Sequence, residues 1–189
     1  MPINLPTILT WLRIALIPLF IGVLYVPETW MLPASRAWWS SGLFAFACIT
    51  DALDGYLARK LNQTTAFGAF LDPVADKLMV GAALIMLVHL GHASPLAAFI
   101  IVGREITISA LREWMAQLGQ SRGVAVSMLG KIKTTCQMLA ILLLLVGEQG
   151  LPGTRILEIG QWVLWGAAAL TLWSMVYYCR IAYPYLNKH

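Results

Sequence analysis

The sequence predicts an all-α membrane protein of six transmembrane helices, and three observations point there. Of its 189 residues, 59% are hydrophobic and only 12% are charged, whereas a soluble domain carries about 25% charged residues. The mean hydropathy is +0.74. The apolar residues fall into six runs, and four of the five breaks between them carry Pro27 and Pro33, Gly91 and Pro95, Gly119 and Gly123, and Pro152 and Gly153. A membrane-spanning helix needs about 20 residues, so six spans leave room for no sizeable extramembrane domain, and residues 1–189 are expected to form one transmembrane unit. Any chemistry must sit on the helices or on the short loops joining them.

The first helix is predicted over 7–26, after a short juxtamembrane segment marked by Pro2, Asn4 and Pro6. Arg13 interrupts its apolar run, and no basic stretch precedes it, so it is not read as a cleavable signal. The second runs over 37–61 and ends among charges. The third, 72–90, opens on Asp72-Pro73, a cap followed by a first-turn proline. The fourth covers 94–117, from Pro95 to the glycines at 119 and 123. The fifth covers 129–148, and the sixth covers 157–182 after Pro152-Gly153. Trp30, Trp38, Trp39 and Trp162 fall near span ends and read as interfacial anchors. Cys48, Cys136 and Cys179 lie inside apolar runs with no metal-ligand spacing, and read as packing residues. His89 and His92 have no third ligand nearby and read as interfacial polar groups.

Loop charge sets the expected orientation. One side carries Arg59, Lys60, Lys77, Arg112, Arg122, Lys131, Lys133, Arg180 and Lys188; the other carries only Arg36 and Arg155. Both termini and the 2–3 and 4–5 connections are therefore expected in the cytoplasm. The net charge of +4 does not indicate nucleic acid, because the basic residues are scattered between apolar runs rather than forming a contiguous surface.

Four of the nine acidic residues occupy one short stretch: Asp51, Asp54, Asp72 and Asp76. Asp51 and Asp54 share a helix face at i and i+3, and Asp72 and Asp76 share one at i and i+4. A tight turn between the second and third helices would bring both faces together. Four converging carboxylates at membrane depth repel one another unless a cation neutralises them, and oxygen-only ligation favours Mg²⁺ or Mn²⁺. A cap role for Asp72 leaves the other three unexplained. Gly55 and Ala58, with Gly68 in the connection, leave room for a bulky ligand, and Arg59 adds a charge suited to phosphate. Carboxylates, a divalent ion and an arginine around a roomy pocket suggest a diphosphate substrate.

The string Asp51-x2-Asp54-Gly55-x2-Ala58-Arg59-x8-Gly68-x3-Asp72-x3-Asp76 resembles the signature of the CDP-alcohol phosphotransferase family. The resemblance implies a six-helix membrane enzyme, usually a homodimer. Such an enzyme uses two divalent ions, cleaves a CDP-linked donor, releases CMP and joins a phosphatidyl-type group to an alcohol. By the same resemblance Asp51, Asp54, Asp72 and Asp76 are metal ligands, and Asp76 is also the base on the acceptor hydroxyl. Asp54, Gly55, Ala58, Arg59 and Gly68 line the CDP site.

The remaining charges bear on the acceptor. Arg104 and Glu105 lie inside an apolar run, where charge is costly and usually functional. Glu105, Ser109 and Arg112 share a face at i, i+4 and i+7. Lys133 and Gln137 share one on the fifth helix, whereas Lys131 points about 200° away from Lys133. A basic cluster of Arg104, Arg112 and Lys133, with Lys131 as a further candidate, suits an acceptor that carries its own phosphate. The strings Arg104-Glu105-x6-Arg112 and Gly130-Lys131-x-Lys133-Thr134, with the opening Asn4-Leu5-Pro6-Thr7-Ile8-Leu9-Thr10-Trp11-Leu12-Arg13, resemble the bacterial members that join CDP-diacylglycerol to sn-glycerol 3-phosphate. Thr7 departs from that pattern, where asparagine is common. This resemblance implies an inner-membrane protein of phospholipid biosynthesis with its active site facing the cytoplasm. The alternative is a family member with another acceptor, such as a cardiolipin- or phosphatidylserine-forming enzyme. Membrane prenyltransferases need more helices, and a cation transporter would find Arg59, Arg112 and Lys133 in its path. A groove for acyl chains is expected, with residues of the second and fifth helices as candidate walls.

Overall fold

A computed structural model describes residues 5–61, 66–117 and 128–186. It contains six helices: α1 (Leu5–Tyr25), α2 (Pro33–Leu61), α3 (Ala66–His89), α4 (Pro95–Gln117), α5 (Met128–Gly150) and α6 (Ile156–Leu186). The core draws on every helix, through Phe20, Phe44, Leu84, Leu87, Ile101, Ile141, Leu144 and Leu164. Large apolar side chains also face outward, among them Phe99, Trp162 and Trp173. A helix that is apolar on all sides suits a lipid surround. Among the described residues, two helices are long and apolar enough to cross a membrane by themselves, at Ile8–Tyr25 and Ile156–Arg180, and a shorter apolar stretch covers Ile132–Gly147. The aspartates of α2 and α3 lie in the half of each helix next to the 2–3 connection, and the charges of α4 run from mid-helix, at Arg104 and Glu105, to Arg112 and Glu113.

Several boundaries differ from expectation, and α3 differs most. It begins at Ala66 rather than 72, so Asp72 and Pro73 lie within the helix and Asp72 is not its cap. Gly68, expected in the connection, is a buried helical residue. Proline removes only one hydrogen bond, here the one to the Ala69 carbonyl, and a helix held by packing runs through such a break. Pro18 sits inside α1 in the same way. Helix α1 starts at Leu5, within the expected juxtamembrane segment, of which residues 1–4 lie outside the described residues. Helix α2 starts at Pro33 instead of 37, a first-turn proline, and α6 continues to Leu186 instead of 182.

Helix α1 packs along both α2 and α3, while α2 and α3 touch one another only slightly; α5 packs along α6 and α2, and α4 against α6 and α3. The end of the bundle away from the acidic residues is tied by histidines. The His92 ring bonds the Leu144 carbonyl through Nδ1 at 3.0 Å, and its own carbonyl accepts from Gln161 at 3.2 Å. The His89 ring packs on Tyr25 with centroids 5.7 Å apart.

The Leu144 carbonyl is reached beside a break in α5, where Gly147 adopts φ 50, ψ −162. That backbone region is essentially restricted to glycine and costs other residues about 1–3 kcal/mol, and an added Cβ would lie 3.2 Å from His92 Cε1. Gly147→Ala is therefore expected to lower the thermal midpoint in detergent while leaving substrate KM values unchanged, because the break lies at the far end of α5 from Lys133 and the cavity it lines. A midpoint equal to that of the parent protein would show that the break relaxes without cost.

Candidate active site

Asp51 and Asp72, one from each acidic pair, are both held by α1. Thr10 and Arg13 are i and i+3 on α1 and so share a face. Arg13 Nη1 lies 2.6 Å from Asp51 Oδ1 on α2, and Arg13 is 1% exposed. The Thr10 hydroxyl, also fully buried, donates to Asp72 Oδ1 on α3. A guanidinium at this depth is tolerable only when paired. One helix face thus engages one carboxylate from each acidic pair. Neither Thr10 nor Arg13 was a predicted site residue. The signal was present, because Arg13 is a charge inside an apolar run.

Asp76, one turn further along α3 from Asp72, lies within electrostatic reach of Asp51 and Arg13 on one side and of Glu105 on the other. It also lines a cavity of about 220 Å³ shared with Pro73, Lys77, Arg104, Glu105, Ile108, Ser109, Arg112, Lys133 and Thr134. Typical pockets for drug-sized ligands run from about 300 Å³ upward, so this one suits a small polar molecule. Four cations and two carboxylates face it, a net +2.

The cations are held by neighbours. Arg104 donates to Glu105 Oε1 at 3.3 Å and to Ser174 Oγ at 3.0 Å. Arg112 donates to the Tyr178 hydroxyl at 3.2 Å. Lys133, 2% exposed, donates to Glu105 Oε1. The Nε atoms of Arg104 and Arg112 are buried with no hydrogen-bond partner among the described residues. Buried donors without partners are costly.

The expected basic residues Arg104, Arg112 and Lys133 therefore meet Asp76 around one space. Lys77 and Glu105 join them there although neither was a predicted site residue; Glu105 is visible as a charge inside an apolar run on the face of Arg112, and Lys77 only as a charge next to Asp76. Lys131, Gly55, Ala58, Arg59 and Asp54 have their backbones in α5 and α2, but their side chains lie outside the described residues, as does that of Thr7. Among the described residues no three metal-ligating side chains converge on one point. The donors available in Asp51, Asp72 and Asp76 are all carboxylate oxygens, the set that hard divalent ions take, and on that chemistry they fit such an ion.

A larger apolar groove of about 550 Å³ lies between α1, α3 and α4, with Lys77 and Glu105 at its polar edge. It does not lie between the second and fifth helices, which were the expected walls; α2 and α5 instead pack directly on one another.

A sequence profile of the CDP-alcohol phosphatidyltransferase family matches residues 3–173. The chain is 49% identical over 193 residues to a CDP-diacylglycerol–glycerol-3-phosphate 3-phosphatidyltransferase of Pseudomonas fluorescens, covering 97% of this chain and 92% of the relative. A protein of the same name from Pectobacterium atrosepticum is 49% identical over 185 residues, 96% of each chain. One from Escherichia coli K12 is 47% identical over 184 residues, again 96% of each.

Proposed function

Because this chain belongs to the CDP-alcohol phosphatidyltransferase family, we propose that it transfers the phosphatidyl group of CDP-diacylglycerol to sn-glycerol 3-phosphate, giving phosphatidylglycerophosphate and CMP. One observation carries the acceptor: a cavity of about 220 Å³ in which Asp76 faces Arg104, Arg112 and Lys133, with a net charge of +2. A phosphate monoester carries about −1.5 to −2 at neutral pH, so the acceptor's charge matches its surroundings. An uncharged or zwitterionic alcohol would leave that charge unbalanced.

Arg104, Arg112 and Lys133 hold the acceptor phosphate, with Lys131 as a further contact, and the arginines do so by the paired N–H geometry that suits phosphate oxygens. Holding the phosphate there brings the 1-hydroxyl towards Asp76. The Asp76 carboxylate takes the hydroxyl proton as the oxygen forms a bond to the diacylglycerol-bearing phosphorus, and the bond from that phosphorus to the CMP oxygen breaks. Asp51, Asp54, Asp72 and Asp76 would hold two Mg²⁺ or Mn²⁺ ions, which supply charge neutralisation to the diphosphate and its leaving group. Arg13 and Thr10 orient Asp51 and Asp72 for this task. By the family resemblance, Asp54, Gly55, Ala58, Arg59 and Gly68 are the residues assigned to the CDP moiety.

All six helices span the membrane in this reading, with the acidic and basic residues at the cytoplasmic side of the inner membrane. Their lengths of 21–31 residues support it, since about 20 suffice, and so does the loop-charge asymmetry. The chain works as a homodimer, as the family resemblance implies.

The purified protein is expected to release CMP from CDP-diacylglycerol only when both a divalent ion and sn-glycerol 3-phosphate are present. Release that ignores sn-glycerol 3-phosphate, with or without another alcohol, would overturn the acceptor.

A further inference from the structure

We infer that α6 sets the acceptor specificity of the cavity through Tyr178 and Ser174, two positioning residues that aim Arg104 and Arg112 into it. The inference rests on the acceptor reading above and names a part of the site on a helix that lines none of the cavity.

Tyr178 and Ser174 are i and i+4 on α6, one above the other on the same face. Both are buried, at 1% and 2% exposure. The Tyr178 ring lies under both guanidiniums, with Arg112 Cζ 5.3 Å and Arg104 Cζ 5.7 Å from its centroid. Its hydroxyl accepts from Arg112 Nη2. Ser174 gives its own proton to the Thr171 carbonyl at 2.9 Å, which leaves the hydroxyl oxygen free to accept from Arg104 Nη2.

The physical need is clear from the charges. Two guanidiniums and an ammonium gathered around one cavity repel one another, and long arginine side chains at the edge of a bilayer otherwise extend towards water. The face of an aromatic ring attracts cations without neutralising them. A carboxylate in that place would pair with the arginines and compete with the acceptor phosphate. Tyrosine and serine therefore anchor each guanidinium without neutralising it, so that with Glu105 on Arg104 and Asp76 both counted the cavity still keeps its net +2 for an anion. Fixing those side chains beforehand also removes ordering entropy from the binding step.

The test uses the full-length protein in detergent, with CMP release measured while sn-glycerol 3-phosphate and CDP-diacylglycerol are varied separately at fixed Mg²⁺. Tyr178→Phe keeps the ring and loses the hydroxyl; it is expected to raise KM for sn-glycerol 3-phosphate by about 10-fold, the scale of one hydrogen bond to a charged group. Tyr178→Leu loses the ring as well and is expected to raise it by a further ~3- to 10-fold, the scale of a desolvated cation–π contact. Ser174→Ala should raise it several-fold, and Ser174→Thr, which keeps a hydroxyl, should restore it. KM for CDP-diacylglycerol should stay at its parent value throughout.

If Tyr178→Phe and Ser174→Ala both keep the parent KM for sn-glycerol 3-phosphate, the inference is wrong. It is equally wrong if Tyr178→Phe raises both KM values together and lowers the thermal midpoint, because the residue then only holds the bundle. Should the parent protein itself release CMP without needing sn-glycerol 3-phosphate, the acceptor reading fails and this inference falls with it.

Discussion

Asp76→Asn is expected to reduce CMP release by about 10²–10⁴-fold in kcat, the range that a positioned base contributes. The substitution replaces one oxygen with an NH₂ of the same size, so the half-buried position on α3 keeps its packing and the fold should be unaffected. Asp76 stands where the two halves of the site meet, in reach of Asp51 and Arg13 and in the wall of the cavity that holds the basic cluster. Loss of a base lowers kcat with little change in KM for sn-glycerol 3-phosphate. Loss of a metal ligand also moves the Mg²⁺ concentration that half-activates the enzyme. Measuring kcat and KM across a Mg²⁺ titration separates the two contributions. An Asp76→Asn protein that retains about a tenth or more of the parent kcat would remove Asp76 from the chemistry.

Lys133→Met is expected to raise KM for sn-glycerol 3-phosphate by about 10²-fold or more, because deleting one partner of a buried charge pair costs about 2–5 kcal/mol and each 1.4 kcal/mol is tenfold. Two effects add here. The ammonium no longer faces the acceptor phosphate, and Glu105, which it neutralises in the structure, becomes a carboxylate with weaker compensation beside an incoming dianion. Arg104, 3.3 Å from the same Glu105 oxygen, remains as its other partner. Glu105→Gln alone should therefore change KM little. The double variant Lys133→Met/Glu105→Gln should bind the acceptor about 10-fold better than Lys133→Met. Strictly additive effects would show that Glu105 and Lys133 act independently, contrary to the contact between them.

Both predictions concern residues that short-range spacing makes visible. Asp51 and Asp54, and Asp72 and Asp76, need only a helical period to share a face. Arg104, Glu105 and Lys133 stand out because charge inside an apolar run demands a reason. Tyr178 and Ser174 give no such sign, since a tyrosine and a serine in the last span look like ordinary interfacial and packing residues. Arg13 and Thr10 lie between these extremes. The arginine is conspicuous, but nothing near it in the chain says that it reaches Asp51, 38 positions away.

Composition and local period settled the helical class, the number of helices, and which carboxylates and cations lie at one end of the bundle. These follow from properties that each segment has alone: its apolar length, its proline and glycine breaks, and the 3.6-residue repeat. Packing decided the rest. Insertion of α1 between α2 and α3 made Thr10 and Arg13 the link between the acidic pairs. The contact of α4 with α6 put Tyr178 beneath two arginines, and α3 ran through Pro73 and took Gly68 into a helix. Such contacts join residues tens of positions apart, and the energy that selects them comes from side chains meeting across helices, which no single segment of the chain encodes.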